Sequence, residues 1–157
     1  MTVRFACEKD IPQMNSLLYQ VERVHQQGRP DLFKEGAKKY TDNELKDMLK
    51  DKTKPIFAAV DENDVMKGYA FCVFQEHKGD NVLTDIKTLY IDDLCIDENC
   101  RGQHIGSVLY EAVKKFAKEQ GCYNVTLNVW ECNPSARKFY EKAGLKPYKT
   151  GMEVILL

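Results

Sequence analysis

A short segment in the second half of the chain combines residue types that bind anions. Residues 84–96 predict a strand, and an apolar repeat of helical period begins at Ile105. The loop between these two elements and the first residues of the helix read Arg101-Gly102-Gln103-His104-Ile105-Gly106-Ser107. The first turn of a helix offers unpaired N–H groups, glycine lets a ligand approach the backbone, and arginine suits phosphate. The segment therefore predicts an anion site, although an ordinary strand-to-helix turn with a surface arginine also accounts for it.

Two common phosphate-binding motifs do not fit this segment. A nucleotide-binding P-loop requires G-x-x-x-x-G-K-[ST], and neither that spacing nor the lysine occurs around Gly102 and Gly106. A dinucleotide site requires G-x-G-x-x-G, which is also absent. An unrelated α/β nucleotide binder remains an alternative, but no motif in the sequence supports it.

The composition bounds the classes of protein to which the chain can belong. It has 157 residues, of which 43% are hydrophobic and 30% charged, with a net charge of −1. This is ordinary globular composition, and residues 1–157 are expected to form a single domain. The charge balance disfavours nucleic-acid binding, and no apolar run approaches the roughly 20 residues of a membrane span. The start lacks the apolar core of a secretory signal, so we expect a cytoplasmic protein without a membrane partner.

Cysteine and histidine spacing indicates neither disulfides nor a metal site. The six cysteines include no C-x-x-C pair, and the three histidines are widely separated. In a reducing compartment these thiols are expected to stay free.

The periodicity of the remaining chain predicts alternating helices and strands. Strands are expected at residues 2–7, 56–60, 65–75, 84–96, 123–130 and 152–157. Asp10, the Thr41/Glu44 capping box and Asn133 with Pro134 mark three helix starts, and Gly121 and Gly144 mark ends. If strand 84–96 is regular, Tyr90, Asp92, Leu94 and Ile96 share one face. The unit from residue 84 to 130 should be a right-handed parallel strand–helix–strand crossover in an α+β or α/β fold.

Two motifs together resemble the GNAT N-acetyltransferase superfamily. Residues 101–106 resemble its acyl-CoA pyrophosphate loop, [Q/R]-x-x-G-x-[G/A], and residues 133–145 resemble its second signature, N-x-x-A-x-x-F-Y-x-x-x-G-[F/L]. The motifs lie at the family's separation, with a helix and a strand between them. His104 stands where the family usually has glycine. If that position requires a positive φ, histidine costs roughly 1–2 kcal/mol there.

The resemblance implies an α+β fold, an α/β/α sandwich. Its mixed, mostly antiparallel twisted sheet would have about four flanking helices and a splay between parallel strands 84–96 and 123–130. Acetyl-CoA, the implied co-substrate, would lie in that splay. The implied cofactor-binding residues are Leu94, Cys95, Ile96, Arg101, Gly102, Gln103, His104, Ile105, Gly106, Ser107, Asn133, Arg137 and Tyr140.

The implied activity is transfer of the acetyl group to a primary amine by direct attack in a ternary complex. Tyr140 would be the general acid for the CoA thiolate, although it also fits a helix's apolar stripe. A backbone N–H of strand 84–96 would stabilise the oxyanion. Asp92 and Asp93 are the candidate bases, and strand alternation predicts that at most one faces the cleft. Two solvated carboxylates, or carboxylates paired with nearby lysines, account for these residues equally well.

Several alternatives stay open at this stage. An acyl-cysteine intermediate on Cys95 or Cys132 is disfavoured because neither has a histidine nearby in sequence. By resemblance, His25 and Phe33 lie near the acceptor site. The acceptor is a small-molecule or peptide amine, with nearby acidic residues favouring a cation, and dimers are common in the family, so a homodimer is allowed. The rival reading is a catalytically inactive acyl-CoA-binding regulatory module.

Overall fold

The chain folds into a five-stranded sheet and four helices, and the structure, a computed structural model, describes residues 1–157. The strands are β1 (Thr2–Phe5), β2 (Ile56–Val60), β3 (Met66–Glu76), β4 (Lys87–Ile96) and β5 (Asn124–Leu127). The helices are α1 (Ile11–Gly28), α2 (Asp42–Lys50), α3 (Ile105–Glu119) and α4 (Pro134–Lys142). No helix combines the length and the hydropathy that crossing a bilayer requires.

The sheet runs in the order β1-β2-β3-β4-β5, with only the β4–β5 pair parallel. Helix α3 is the connection that makes this parallel pair possible. Two apolar clusters fill the two faces of the sheet, one beneath α1 and α2 and the other beneath α3, with α4 packed at its margin. The predicted layered mixed sheet with a parallel last pair is therefore confirmed.

Two helix starts form through the capping interactions that the sequence predicts. The Glu44 N–H donates to the Thr41 hydroxyl at 3.2 Å, and the Thr41 N–H donates to the Glu44 carboxylate at 2.7 Å. At the start of α4, the Asn133 side-chain oxygen accepts from the Ala136 N–H at 3.2 Å. These contacts pair N–H groups that a helix start leaves without partners.

Strand β4 contains a bulge at its two acidic residues. Asp93 lies opposite Phe71, but Cys72 lies opposite Ile91, so Asp92 has no partner on β3. Ile91 and Leu94 both pack into the apolar cluster beneath α3, although they are three positions apart. An inserted residue reverses the alternation, so Asp92 and Asp93 both point toward the α1–α2 face. The condition that strand 84–96 is regular is therefore not met, and Asp92 and Leu94 lie on opposite faces.

The C-terminal part of the chain departs most from the prediction. Strand β5 is shorter than the expected 123–130, and the expected strand at 152–157 does not form. Residues 146–157, called here the tail, are exposed and donate or accept no backbone–backbone hydrogen bond. The apolar pattern of residues 152–157 is typical of a strand, but a strand also needs a neighbouring strand, and this segment pairs with none.

Candidate active site

The last two strands of the sheet separate and leave a gap between them. Strand β5 pairs with β4 from Thr88–Asn124 to Ile91–Leu127, whereas β4 continues to Ile96. The Asp97 N–H donates to the Lys67 carbonyl oxygen at 2.8 Å. This bond shows that the odd-numbered residues at this end of β4 direct their backbone groups toward β3. Because antiparallel ladders alternate, the N–H and C=O groups of Leu94 and Ile96 point into the gap.

The loop from Arg101 to Ser107 presents unpaired backbone donors at the start of α3. None of the consecutive N–H groups from Arg101 to Ser107 donates a hydrogen bond within the chain. Gly102 has a φ of 79° and His104 a φ of 60°. The position of His104 thus does require a positive φ, and the histidine carries the strain that the sequence predicted for that case. The Arg101 side chain is exposed and forms no ion pair.

The two glycines of this loop have different roles. A Cβ atom on Gly106 would lie 3.2 Å from the Phe139 ring, whereas a Cβ on Gly102 would meet nothing within 4 Å. Gly106 therefore allows α3 to pack closely against α4. The expectation that both glycines admit a ligand to the backbone has to be corrected at Gly106, whose missing side chain faces protein.

Asp93 is a carboxylate held in an apolar setting. Its side chain accepts a hydrogen bond of 2.7 Å from the hydroxyl of Tyr69, which is itself fully buried. Its other oxygen makes no hydrogen bond within the chain. Burial raises the pKa of Asp93 from 3.8 to about 6, with the Tyr69 hydrogen bond and the Lys39 charge opposing that rise.

Asp92 has a different environment from its neighbour. It forms an ion pair of 3.0 Å with Lys39 and accepts a hydrogen bond from the Tyr40 hydroxyl. Both carboxylates line the same large cleft. The expectation that at most one of them faces the cleft is therefore wrong, and the bulge in β4 is the reason.

Tyr140 of α4 lines the same cleft as the two carboxylates. Its neighbours Phe139 and Ala143 pack into the cluster beneath α3, but Tyr140 does not belong to either core cluster. Burial raises the pKa of Tyr140, and the charge of Asp93 raises it further. The phenol is thus protonated at neutral pH, and its hydroxyl donates to no group of the chain.

Three other predicted residues are already engaged by the protein. The Asn133 side chain lines the cleft but also caps α4. The Arg137 guanidinium pairs with Glu131 at 2.7 Å and with Glu141 at 3.0 Å. The Cys95 thiol contacts the Leu17 carbonyl oxygen at 3.5 Å, and burial raises the pKa of Cys95 to about 12. A neutral, buried thiol is a poor nucleophile, so the geometry does not favour an acyl group on Cys95.

An aromatic wall closes one side of the cleft. The rings of His25 and Phe33 are 5.1 Å apart, and Phe33 meets Trp130 edge to face at 5.1 Å. The sequence had indicated His25 and Phe33 near this region. It did not indicate Lys39, Tyr40 or Tyr69 as partners of the carboxylates, because those contacts join residues far apart in the chain and no local spacing signals them.

Sequence comparison assigns the chain to a family. A profile described as the Acetyltransferase (GNAT) family matches residues 18–145. The chain therefore belongs to the GNAT acetyltransferase family. It is 34% identical over 58 residues to a probable glucosamine 6-phosphate N-acetyltransferase 2 from Oryza sativa subsp. japonica, and the alignment covers 37% of this chain and 33% of the rice protein. The chain thus matches only about a third of the length of that curated relative.

Solved structures share the fold over nearly the whole chain. A mutant of the BH1408 protein from Bacillus halodurans has a TM-score of 0.95 and 27% identity, covering 100% of both chains. An aminoglycoside acetyltransferase, meta-AAC0020, from an uncultured soil metagenomic sample was crystallised in complex with sisomicin. It has a TM-score of 0.73 at 19% identity, covering 99% of this chain and 95% of that chain, a likeness of fold alone.

Proposed function

We propose that this protein transfers the acetyl group of acetyl-CoA to a primary amine by direct attack in a ternary complex. The observation that carries the proposal is the placement of Asp93 and Tyr140 on one cleft beside the gap between β4 and β5. A carboxylate with a raised pKa can accept the amine proton, and a protonated phenol can supply one to sulfur. Family membership supports N-acetyl transfer in general.

The loop at the start of α3 is the proposed site for the CoA pyrophosphate. The N–H groups from Arg101 to Ser107 are free within the chain, and they adjoin the positive end of the α3 dipole. The Arg101 guanidinium has no carboxylate partner to compete with phosphate. The exposed backbone groups of Leu94 and the carbonyl oxygen of Ile96 would then bind the pantetheine amides in the gap, which leaves the Ile96 N–H for the thioester oxygen.

In the proposed reaction the amine nitrogen bonds to the thioester carbonyl carbon, and its surplus proton passes to Asp93. The carbonyl oxygen becomes an oxyanion, for which the N–H of Ile96 is the proposed donor. When the carbon–sulfur bond breaks, the electron pair stays on sulfur and the Tyr140 hydroxyl donates its proton there. The products are an amide and free CoA, and exchange of protons with water restores both side chains.

Asp93 fits the role of base better than Asp92. Its pKa of about 6 makes it a stronger proton acceptor than an ordinary aspartate while keeping it ionised at neutral pH. Asp92 is held by an ion pair with Lys39 and a hydrogen bond from the Tyr40 hydroxyl, so we assign it to orienting the acceptor. The charge of Asp93 next to Tyr140 also couples the two proposed catalytic residues.

The acceptor is proposed to carry a positive charge next to the reacting nitrogen. Two carboxylates from one strand lie in the cleft, and a cationic small amine would complement them. The curated relatives are named for glucosamine 6-phosphate, which is also a primary amine. A polyamine, an aminoglycoside, an amino acid and a protein N-terminus are the classes that an acceptor screen should compare.

The test begins with calorimetric titration of the protein with acetyl-CoA, with ATP and NADH as controls. We expect selective binding of acetyl-CoA and a weaker affinity, by about tenfold or more, in Arg101→Ala. Lys52→Ala is the matched control, because Lys52 is an exposed cation between α2 and β2 that forms no ion pair and lies outside the loop. An amine screen read by free CoA thiol follows.

The outcomes of these two measurements separate the rival functions. Binding of acetyl-CoA followed by thiol release with an amine supports the acetyltransferase. Binding without turnover across all amine classes would favour the acyl-CoA-binding regulatory module. Failure to bind acetyl-CoA, or preference for ATP or NADH, would overturn the proposal.

A further inference from the structure

The segment that connects α1 and α2 brings lysines of the chain itself into the proposed acceptor cleft. Residues 34–40 belong to no helix or strand, and three lysines of this segment line the cleft: Lys34, Lys38 and Lys39. A lysine side chain ends in a primary amine, which is the group that the proposed reaction acetylates. The protein therefore carries acceptor groups of its own at the site.

Lys39 is the lysine that contacts the carboxylates of this cleft. Its Nζ atom lies 3.0 Å from a carboxylate oxygen of Asp92 and donates to the Asp92 carbonyl oxygen at 3.4 Å. Asp92 is the residue that we assign to orienting the acceptor. The Lys39 ammonium thus already lies where the cleft would hold the amine of an acceptor.

The neighbouring lysine of the same segment is held elsewhere. The Nζ atom of Lys38 donates to the Asn15 side chain at 2.6 Å and pairs with Asp42 at 2.9 Å. Asn15 belongs to α1 and Asp42 begins α2, so this ammonium is directed away from the acidic residues of β4. The contact with Asp92 therefore distinguishes Lys39 from the lysine next to it.

The contact between Lys39 and Asp92 lies at the mouth of the gap proposed for acetyl-CoA. The last pair between β4 and β5 joins Ile91 to Leu127, so Asp92 is the first residue of β4 beyond the paired part. The proposed base, Asp93, is the next residue. The Lys39 side chain is 35% exposed and has a flexible four-carbon stem, so it can turn from Asp92 toward the gap.

We propose that the protein acetylates its own Lys39 with acetyl-CoA, within a single copy of the chain. This inference rests on the proposed function, because it uses the same co-substrate site and the same two catalytic residues. It differs from that function in its acceptor, which is a residue of the protein. An amine tethered beside the reacting groups has a high effective concentration, so the reaction needs no separate step in which an acceptor binds.

The reaction follows the scheme proposed for a free amine. The Lys39 ammonium loses one proton to water, and its nitrogen then bonds to the thioester carbonyl carbon. The surplus proton on nitrogen passes to Asp93. The carbon–sulfur bond breaks with its electron pair on sulfur, and the Tyr140 hydroxyl donates a proton there. Asp93 returns its proton to Tyr140 through water, so the products are acetyl-lysine, free CoA and the proton released at the start.

The modification would change the charge of the acceptor cleft. Acetylation turns the ammonium into an uncharged amide, so the ion pair with Asp92 is lost. The charge of Lys39 also opposes the rise in the pKa of Asp93. Without this cation the two carboxylates are less compensated, and the acetylated protein would present a more negative cleft to a cationic acceptor.

The test is incubation of the purified protein with acetyl-CoA and no added amine, followed by peptide mass spectrometry. We expect an acetyl group on Lys39 that forms at least about tenfold faster than one on Lys115. The Lys115 side chain is 80% exposed and reports purely chemical acetylation by acetyl-CoA. The rate per chain should not depend on the protein concentration, because the reaction takes place within one copy.

Three variants separate self-acetylation from chemical background. Lys39→Arg keeps the positive charge but lacks a lysine amine, so the acetylated peptide should be absent. Lys38→Arg is the matched control, because Lys38 is the adjacent cleft lysine, and acetylation of Lys39 should continue at the wild-type rate in this variant. Asp93→Asn should slow acetylation of Lys39 by about 10²-fold while leaving that of Lys115 unchanged.

The outcomes distinguish this inference from the proposed function. Acetylation of Lys39 that is no faster than that of Lys115, or equally fast in Asp93→Asn, would contradict self-acetylation. A rate per chain that rises with protein concentration would also contradict it, since the acetyl group would then pass between copies. Thiol release with an added amine by a protein whose Lys39 stays unmodified would reject self-acetylation and leave the proposed function standing. Absence of both reactions would reject both.

Discussion

The hydroxyl of Tyr69, on β3, donates a hydrogen bond of 2.7 Å to the carboxylate of Asp93, which directly follows the bulge in β4. Tyr69 is fully buried on the α1–α2 face, so its hydroxyl fixes one carboxylate oxygen at the inner end of the cleft. The other oxygen is left without a partner in the chain. This pair thus holds an acid group of raised pKa in one orientation.

The first prediction concerns the pH dependence of activity. Asp93→Asn should lower kcat/KM by about 10²-fold or more, because an amide cannot accept the amine proton. In the wild type, kcat/KM should fall below pH about 6 as Asp93 becomes protonated, and that acid limb should be absent from the variant. Asp85→Asn, an exposed carboxylate without hydrogen bonds, is the control. An unchanged acid limb in Asp93→Asn would assign the base elsewhere.

The same carboxylate should destabilise the folded protein at neutral pH. Its pKa is higher in the folded state than the ordinary 3.8, so the folded state binds the proton more tightly and loses stability as pH rises from about 4 to about 6. Asp93→Asn removes this loss. The free energy of unfolding of the variant minus that of the wild type should increase by at most about 3 kcal/mol between pH 4 and 6. Above pH 6 the difference should stay constant. Denaturant unfolding at each pH measures it, and a flat difference would contradict the raised pKa.

Tyr140→Phe should separate binding from catalysis. Loss of the phenolic proton donor should reduce kcat by roughly 10²–10⁴-fold, whereas the affinity for acetyl-CoA, measured by calorimetry, should change little. Tyr123→Phe serves as the control because Tyr123 is 76% exposed and its hydroxyl has no partner. Equal kcat in Tyr140→Phe and the wild type would exclude Tyr140 as the acid.

His104→Gly should stabilise the protein. Glycine relieves the strain of a φ of 60° but adds freedom to the unfolded chain, so the expected net gain is about 0.5–1 kcal/mol in the free energy of unfolding. His77→Gly, at a position with no positive φ, should give no gain. Urea unfolding of both variants provides the comparison, and a loss in His104→Gly would mean that the imidazole itself stabilises the loop.

Gly106→Ala should disturb the contact between α3 and α4. The added methyl group would lie 3.2 Å from the Phe139 ring, and such overpacking costs about 1–3 kcal/mol. A smaller side chain in Phe139→Leu should recover part of that loss in the double variant. Gly151→Ala is the control, since a Cβ there meets nothing within 4 Å. If Gly106→Ala and Gly151→Ala unfold at the same denaturant concentration, the close contact between Gly106 and Phe139 imposes no steric cost on a larger side chain.

Local signals predicted much of this fold, and the failures have physical causes. The Thr41/Glu44 box and the Asn133 cap depend on residues within one helical turn, so sequence spacing specifies them. The bulge at Asp92 depends on how β4 pairs with β3, and nothing in the run Asp92-Asp93 marks it. This is why two carboxylates, rather than one, face the cleft.

The strand predicted at residues 152–157 failed for a different reason. Its alternation and apolar side chains are sound indicators of strand propensity, but pairing also needs a partner whose identity the local sequence does not encode. Long-range contacts escape prediction in the same way. Asp93 contacts Tyr69, and Asp92 contacts Lys39 and Tyr40, but these residues are far apart in the chain and only the fold brings them together.

Every buried residue precedes Lys118, and this has a consequence for the order in which parts of the chain fold during its synthesis. The buried residues of both apolar clusters leave the ribosome before β5, α4 and the tail, so the core can begin to form while the last segments are still being translated. During that interval the outer edge of β4 has no neighbour. The arrival of β5 then covers this edge only from Thr88 to Ile91 and leaves the gap beside Leu94 and Ile96, so the proposed active site is the last part of the molecule to be assembled.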